Sequence, residues 1–429
     1  MNTLSEIIRR EAAQRGVLSF ARFMELALYC PVHGYYETKK DNPGRHGDFY
    51  TSVGVGELFG QLLAFQFAEW LETLNPRPLA APKRSAGGSP LKLVEAGAHD
   101  GQLAKDILTW LQLNRPKLFG QIEYWIIEPS PRRQEWQKKT LEQYSSHVRW
   151  FADFQSLLQE RTCHSSPATR HPPLCGVIFS NELLDAMPVH RFGWDAAKKT
   201  WFEWGVAVDG EKFAWARISE TLASRRGERA GAGGAFENIP SSIFHLLARR
   251  SEAETAPSSL LAVLPDGYTI ETCPAAEDWW REAAGILERG KLMTIDYGLT
   301  AGELFSPSRP RGTLRAYYRH HASDDLLANV GQQDLTAHVN FSAIQVAGES
   351  VGLRTEMFST QSQFLTQILE KASKDNSLGE LVASKHLVSP KSAGGGSEDG
   401  WTPAQARQFQ TLTHPEHLGR AFRVLVQSR

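Results

Sequence analysis

Residues 91–103, LKLVEAGAHDGQL, restrict the fold of this chain more than any other stretch. Leu91, Leu93 and Val94 form an apolar run too short for a helix, with a Gly/Ser/Pro cluster before it and glycines behind it, which predicts a buried parallel strand. The chain then turns through Gly97 and Gly101 into a segment where Leu103, Ile107, Trp110 and Leu111 recur at helical spacing. A strand, a glycine turn and a helix start together offer backbone N–H groups to a ligand. A plain tight connection has the same local pattern, so the order of the later segments must decide between them.

That order repeats one theme, an apolar run that stops at an acid. The first run ends at Glu95, EYWIIEPS (123–130) at Glu128, VRWFADF (148–154) at Asp153 and KLMTIDYG (291–298) at Asp296 and Tyr297. CGVIFSNELLDAMPV (175–189) turns abruptly polar at Ser180, Asn181 and Glu182, with Asp185 just beyond. In open α/β sheets ligands sit outside the carboxyl ends of the strands, so these residues mark the site, with Asn181, Glu182 and Asp185 where reaction chemistry would occur. Glu128, at the end of the second strand, suits the ribose hydroxyls of a nucleoside. Asp153 could take the exocyclic amine of adenine, or simply cap the next helix.

Glu95 stands where a dinucleotide-binding turn has its first glycine against pyrophosphate, and no G-x-G-x-x-G follows. A carboxylate there repels phosphate and suits a cation. S-adenosylmethionine (SAM), with an ammonium, a sulfonium and no phosphate, meets that demand; an NAD-dependent oxidoreductase is the disfavoured rival.

With 429 residues, a net charge of −1 and a pI near 6.9, nothing suggests general affinity for nucleic acid or anionic membrane. No run approaches the roughly 18 apolar residues of a membrane span. The N-terminus, MNTLSEIIRREAAQRG, lacks a signal-peptide core and carries two glutamates, against a transit peptide; Thr3 and Glu6 have capping-box spacing. Cys30, Cys163, Cys175 and Cys273 lack paired spacing, which argues for a reducing, cytoplasmic home and against a disulfide framework. Cys30 and His33 are half of a metal pattern with no second half, so no metal is expected.

Ser19 can cap a helix carrying Phe20, Phe23, Met24, Ala27 and Leu28, and Leu58 to Leu74 repeats the amphipathic stripe. The glycine- and aromatic-rich stretch between these helices has the character of a functional loop. Residues 75–90 are a Pro/Gly/Ser linker. Alternation around Asp209-Gly210 predicts antiparallel hairpins inserted between the fourth and fifth strands, with a surface loop at 225–240. Residues 312–344 are rich in aromatics and include His320 and His321. LRTEMFS (353–359) and RAFRVLVQS (420–428) supply sixth and seventh strands. The expected organisation is an N-terminal helical cap and active-site loop (1–80), a first half of the core (91–185), a β-rich, substrate-selecting insertion (186–273) and a second half of the core (274–429).

Several blocks together resemble the MidA-like family of SAM-dependent methyltransferases: PVHGYY (31–36), GDFYTS (47–52), LVEAGAHDGQLAKDIL (93–108), IIEPSP (126–131), SNELLDAMPVHRF (180–192), IDYG (295–298), GTLRAYYRHH and QDLTAHVNFSAI. The resemblance runs over nearly the whole chain. It implies a Rossmann-like α/β fold with seven strands, the last antiparallel. It also implies a cofactor held by Glu95, Gly97, Gly101 and Glu128, with Gly47 to Ser52, including Thr51, closing over it. Mitochondrial members of the family are arginine methyltransferases that assist assembly of respiratory complex I. The expected acceptor is therefore an arginine of a protein partner, with a respiratory-complex subunit among the candidates and a homodimer left open. Glu182, helped by Asp185 or Asp48, is the expected acid facing the guanidinium. One departure stands out: His99 occupies a position where the family turn usually has glycine, the residue that tolerates positive φ without cost. An inactive assembly factor on a methyltransferase fold is the alternative that this departure raises.

Overall fold

The computed structural model describes residues 3–38, 51–74, 90–163, 174–218, 264–319, 321–374 and 401–429. They form two compact units. Gly47, Asp48, His320 and the loop at 225–240 lie outside the described residues.

One unit, Pro43–Leu183 with Arg281–Tyr297 and Gly348–Arg429, carries the central sheet. Its strands are β1 (Leu91–Ala96), β2 (Ile122–Ile127), β3 (Val148–Phe151), β4 (Leu174–Asn181), β5 (Leu287–Leu299), β6 (Arg354–Thr360) and β7 (Phe422–Ser428). They lie in the order β6-β7-β5-β4-β1-β2-β3, with β1 to β5 parallel where they pair and β7 antiparallel to both its neighbours. A mixed sheet of mostly parallel strands with an antiparallel last strand is the α/β arrangement expected from the sequence. Every residue of β1 is buried, Lys92 and Glu95 included. A strand flanked on both sides in a parallel sheet reads as continuous burial, not alternation. The stripe of the helix Leu58–Leu74 packs on the sheet, where the Phe67 and Phe179 rings lie 4.8 Å apart. The helix Gln102–Asn114 follows the glycine turn as expected.

The other unit combines Met1–Asn42, Leu184–Trp280 and Gly298–Ala347. Ser19 caps the helix Phe20–Tyr29 through the Arg22 N–H. The expected hairpins are strands His190–Asp195, Thr200–Asp209 and Lys212–Arg217, all antiparallel, turning at Asp209-Gly210. Leu18–Ser19 adds to Thr200–Asp209, so the N-terminal segment and the insertion share one sheet, and Thr269–Thr272 joins on the other side. A three-stranded sheet (Arg315–Tyr318, His321–Ser323, Asp334–Thr336) was not expected. Strands of three or four residues are too short to show a period-two pattern. Within this unit the last two residues of β5, Gly298 and Leu299, pair with Val339–Asn340.

Candidate functional site

The register of the sheet decides which acids share an edge. Ala96 pairs with Ile127 and Ser180, Ile127 with Phe151, and Ser180 with Thr294, which defines one row across β3, β2, β1, β4 and β5. One position beyond that row stand Gly97, Glu128 and Asn181; two beyond stand Asp153, Glu182 and Asp296. Glu95 lies one position inside it.

The turn after β1 holds Gly97 at φ +75°, His99 at +46° and Gly101 at +87°. A Cβ at Gly97 would lie 2.9 Å from Leu183 Cδ1, so the neighbour facing this glycine is Leu183 and not the imidazole of His99. His99 adopts the left-handed conformation with a side chain attached, which costs roughly 1–3 kcal/mol. Gly101 serves as N-cap of the following helix without a side-chain cap.

Glu95 is buried, and Tyr124 donates its hydroxyl to Oε2 at 2.7 Å. Burial pushes its carboxyl up to about 8, against the pull of the Tyr124 bond, with Asp100 and Asp106 adding to the rise. At neutral pH it therefore favours its protonated form, beneath the turn. Glu128 is also buried: Oε1 accepts from the Ser130 N–H at 3.0 Å and lies 3.3 Å from Arg133 Nε, and Oε2 accepts from Gln137 Nε2 at 3.0 Å. Asp153 is exposed, and its carboxylate accepts from the Ser156 N–H at 2.6 Å in the first turn of helix Phe154–Cys163.

At the end of β4, Glu182 sits at φ +52° with its N–H donated to the Ile295 carbonyl. Its Oε1 accepts from the Ser52 N–H at 2.9 Å and from Asn181 Nδ2 at 3.0 Å. Desolvation pushes this carboxyl up to about 8, opposed by those two donors and reinforced by Asp296. Asp296 is fully buried and accepts from the Leu183 and Tyr297 N–H groups. Thr51 caps the short helix Ser52–Val55 through the Gly54 N–H, and Ser52 donates its hydroxyl to Gln361. Asp185 belongs to the other unit, where its carbonyl accepts from the Ala337 N–H and its charge acts on the Tyr36 phenol.

Asn181 Oδ1 tests the fit to SAM. It is buried with no hydrogen-bond partner among the described residues. A buried, unsatisfied acceptor costs about 1–3 kcal/mol. A ligand that brings an N–H donor removes the deficit, and the ammonium of SAM is such a donor. Together with the acid at the end of β2 and the glycine turn, the residues fit the cofactor.

Sequence reasoning missed Gln137, which bridges the turn to Glu128, and Gln361, which anchors Ser52. Both are buried glutamines on helices whose patterns give no sign of a site. His338, within QDLTAHVNFSAI, carries no sign of a site in its sequence context. In the second-described unit it lines a cavity with Leu184, Cys273 and Asn340, and burial beside Arg309 and Arg315 pushes its imidazole down to about 4.

The profile of a family of S-adenosyl-L-methionine-dependent methyltransferases matches residues 62–359. The chain is 26% identical over 362 residues to the mitochondrial protein arginine methyltransferase NDUFAF7 homolog of Drosophila melanogaster, covering 82% of this chain and 71% of the relative. The Danio rerio NDUFAF7 protein is 26% identical, with 78% and 70% covered. A crystal structure from Burkholderia thailandensis with S-adenosyl-homocysteine bound superposes with a TM-score of 0.68 at 27% identity, covering 100% of this chain and 92% of that one. The expected cytoplasmic home is overturned by these relatives, which are mitochondrial by name. Scattered cysteines signal a reducing compartment but do not specify which one. The match covers more than half of the chain, and with it the chain belongs to the MidA-like family of SAM-dependent methyltransferases.

Proposed function

We propose that this methyltransferase acts on an arginine side chain of a protein partner, with Glu182 facing the guanidinium. The observation that carries the reading is the asymmetry of Glu182. Both of its hydrogen bonds fall on Oε1, and Oε2 has no hydrogen bond among the described residues. A carboxyl fixed through one oxygen presents the other to an incoming donor. The relatives named as protein arginine methyltransferases support the acceptor class, and a respiratory-complex subunit is the first acceptor to test.

SAM supplies a methyl already activated by its sulfonium. The chain holds that cofactor through Glu128, Asn181 and the turn at Gly97 and Gly101, with Glu95 beneath the turn. Thr51 and Ser52 close over it, and Asp153 stands at the adenine end. A guanidinium is a donor only, and protonated in water. Its approach favours ionisation of Glu182, which otherwise keeps its proton near neutral pH. The ionised carboxylate then orients the acceptor nitrogen and takes the proton that this nitrogen loses on methylation.

The test uses labelled SAM with purified protein and a lysate of its host. Label on methylarginine with the wild type, and none with Glu182→Gln while S-adenosyl-homocysteine still binds, supports the reading. Unchanged turnover in Glu182→Gln removes that residue from the mechanism. Label on a small molecule refutes the acceptor class. A chain that binds cofactor but labels nothing supports the inactive-factor alternative raised by His99.

A further inference from the structure

We propose that Gln137 is a positioning residue of the cofactor site, a brace by which one side-chain amide sets both the turn after β1 and the acid after β2. The proposal rests on the reading that Glu128 and this turn bind SAM. Gln137 lies on the helix Pro131–Thr140, PRRQEWQKKT, where only Arg133 and Gln137 are buried. They are four residues apart and share the face turned to the sheet. A glutamine fully buried on an otherwise polar helix is costly unless its amide is satisfied.

Here it is satisfied. Nε2 donates to the His99 carbonyl and to Glu128 Oε2, each at 3.0 Å, and Oε1 accepts from Trp150 Nε1 at 3.0 Å. The orientation of the amide is not arbitrary. An indole N–H can only donate, and a carbonyl and a carboxylate can only accept, so a flipped amide would turn all three contacts repulsive. Trp150 on β3 thus dictates that the NH₂ group faces the turn and Glu128.

What this amide holds is the departure noted in the sequence. His99 lies at φ +46°, a conformation glycine would adopt without strain, and its carbonyl direction is fixed by Gln137. The same helix backs the end of the turn, where a Cβ on Gly101 would lie 3.4 Å from Gln137 Cα. A chain that gives up glycine at this position keeps the turn by clamping its carbonyl from the neighbouring helix. The clamp also draws Glu128 into register with the turn, so both ends of the nucleoside site share one anchor.

The experiment measures S-adenosyl-homocysteine binding by calorimetry on the full chain, with kinetics for SAM. Gln137→Met keeps the bulk and removes the amide. It is expected to weaken binding roughly tenfold, the loss of a hydrogen bond to a charged group, raising KM for SAM with kcat little changed. In a His99→Gly background the same substitution is expected to cost several-fold less, because glycine holds the turn unaided. Gln137→Glu sets a second carboxyl against two acceptors, so its binding should fall at pH 8 and recover toward pH 6. Equal losses in both backgrounds, or wild-type affinity in Gln137→Met, would overturn the brace. If Gln137→Met does not fold, Gln137→Asn keeps a buried amide but shortens its reach by one methylene, and unchanged affinity there overturns the proposal equally. Wild-type protein that binds no S-adenosyl-homocysteine defeats the cofactor reading itself and the brace with it, a result distinguishable from a loss confined to the variants.

Discussion

Glu95→Gln should make the protein more stable as the pH rises. The carboxyl is buried, with a folded-state pKa near 8 set mainly by desolvation, against an ordinary value of 4.5. Because the folded value is raised, the native state keeps a proton that the unfolded chain releases. The resulting stabilisation is fully present below pH 4.5 and is lost as the pH rises through 8. The ceiling follows from the difference, 8 − 4.5 = 3.5, at 1.36 kcal/mol for each, or about 5 kcal/mol. With relaxation around the ionised carboxylate and water penetration to it, roughly 2–4 kcal/mol is the expected span. Glutamine keeps an acceptor for the Tyr124 hydroxyl and never ionises. Urea unfolding of wild type and variant, followed by tryptophan fluorescence, should therefore show near parity at pH 5 and a more stable variant at pH 8.5. A difference that does not change with pH, or a variant that loses stability at high pH, would refute the claim that this acid is held neutral beneath the turn.

Other consequences follow from the same geometry. Gly97→Ala places a methyl group 2.9 Å from Leu183 Cδ1 at a φ of +75°, and should cost about 1–3 kcal/mol of stability and weaken S-adenosyl-homocysteine binding, both readable by thermal shift. Because Glu182 is pushed up to about 8, binding of a cation beside it should release a proton near pH 7. The binding enthalpy should then vary with the ionisation enthalpy of the buffer, and lose part of that variation in Glu182→Gln. Tyr36→Phe removes the hydroxyl that donates to buried Asp334 at 2.9 Å, and should lower stability by about 1–3 kcal/mol in a urea titration.

The central sheet was legible because a buried parallel strand followed by an acid is a local pattern, repeated at β1, β2, β3, β4 and β5. The places of Glu128 and Glu182 at the carboxyl ends of β2 and β4 were legible for the same reason, since the apolar runs stop there. Asp153 fits that pattern too, yet its carboxylate takes the Ser156 N–H, and sequence cannot separate a cap from a ligand when both use an aspartate at a helix start. Glu95 shows a second limit. Its place at a strand end was evident, but its partnership with Tyr124, from the neighbouring strand β2, depends on sheet register. Gln137 marks a third, since it earns its role by facing His99, Glu128 and Trp150 together, contacts that lie up to 38 positions away along the chain. The pairing of Leu18–Ser19 with Thr200–Asp209 was invisible because two residues carry no periodicity.

The most direct test of the account is a calorimetric titration of the purified chain with S-adenosyl-homocysteine and, separately, with NAD. Saturable binding of S-adenosyl-homocysteine, lost in Glu128→Ala, and no binding of NAD are expected. Binding of NAD, or S-adenosyl-homocysteine binding that survives intact in a folded Glu128→Ala variant, would contradict it.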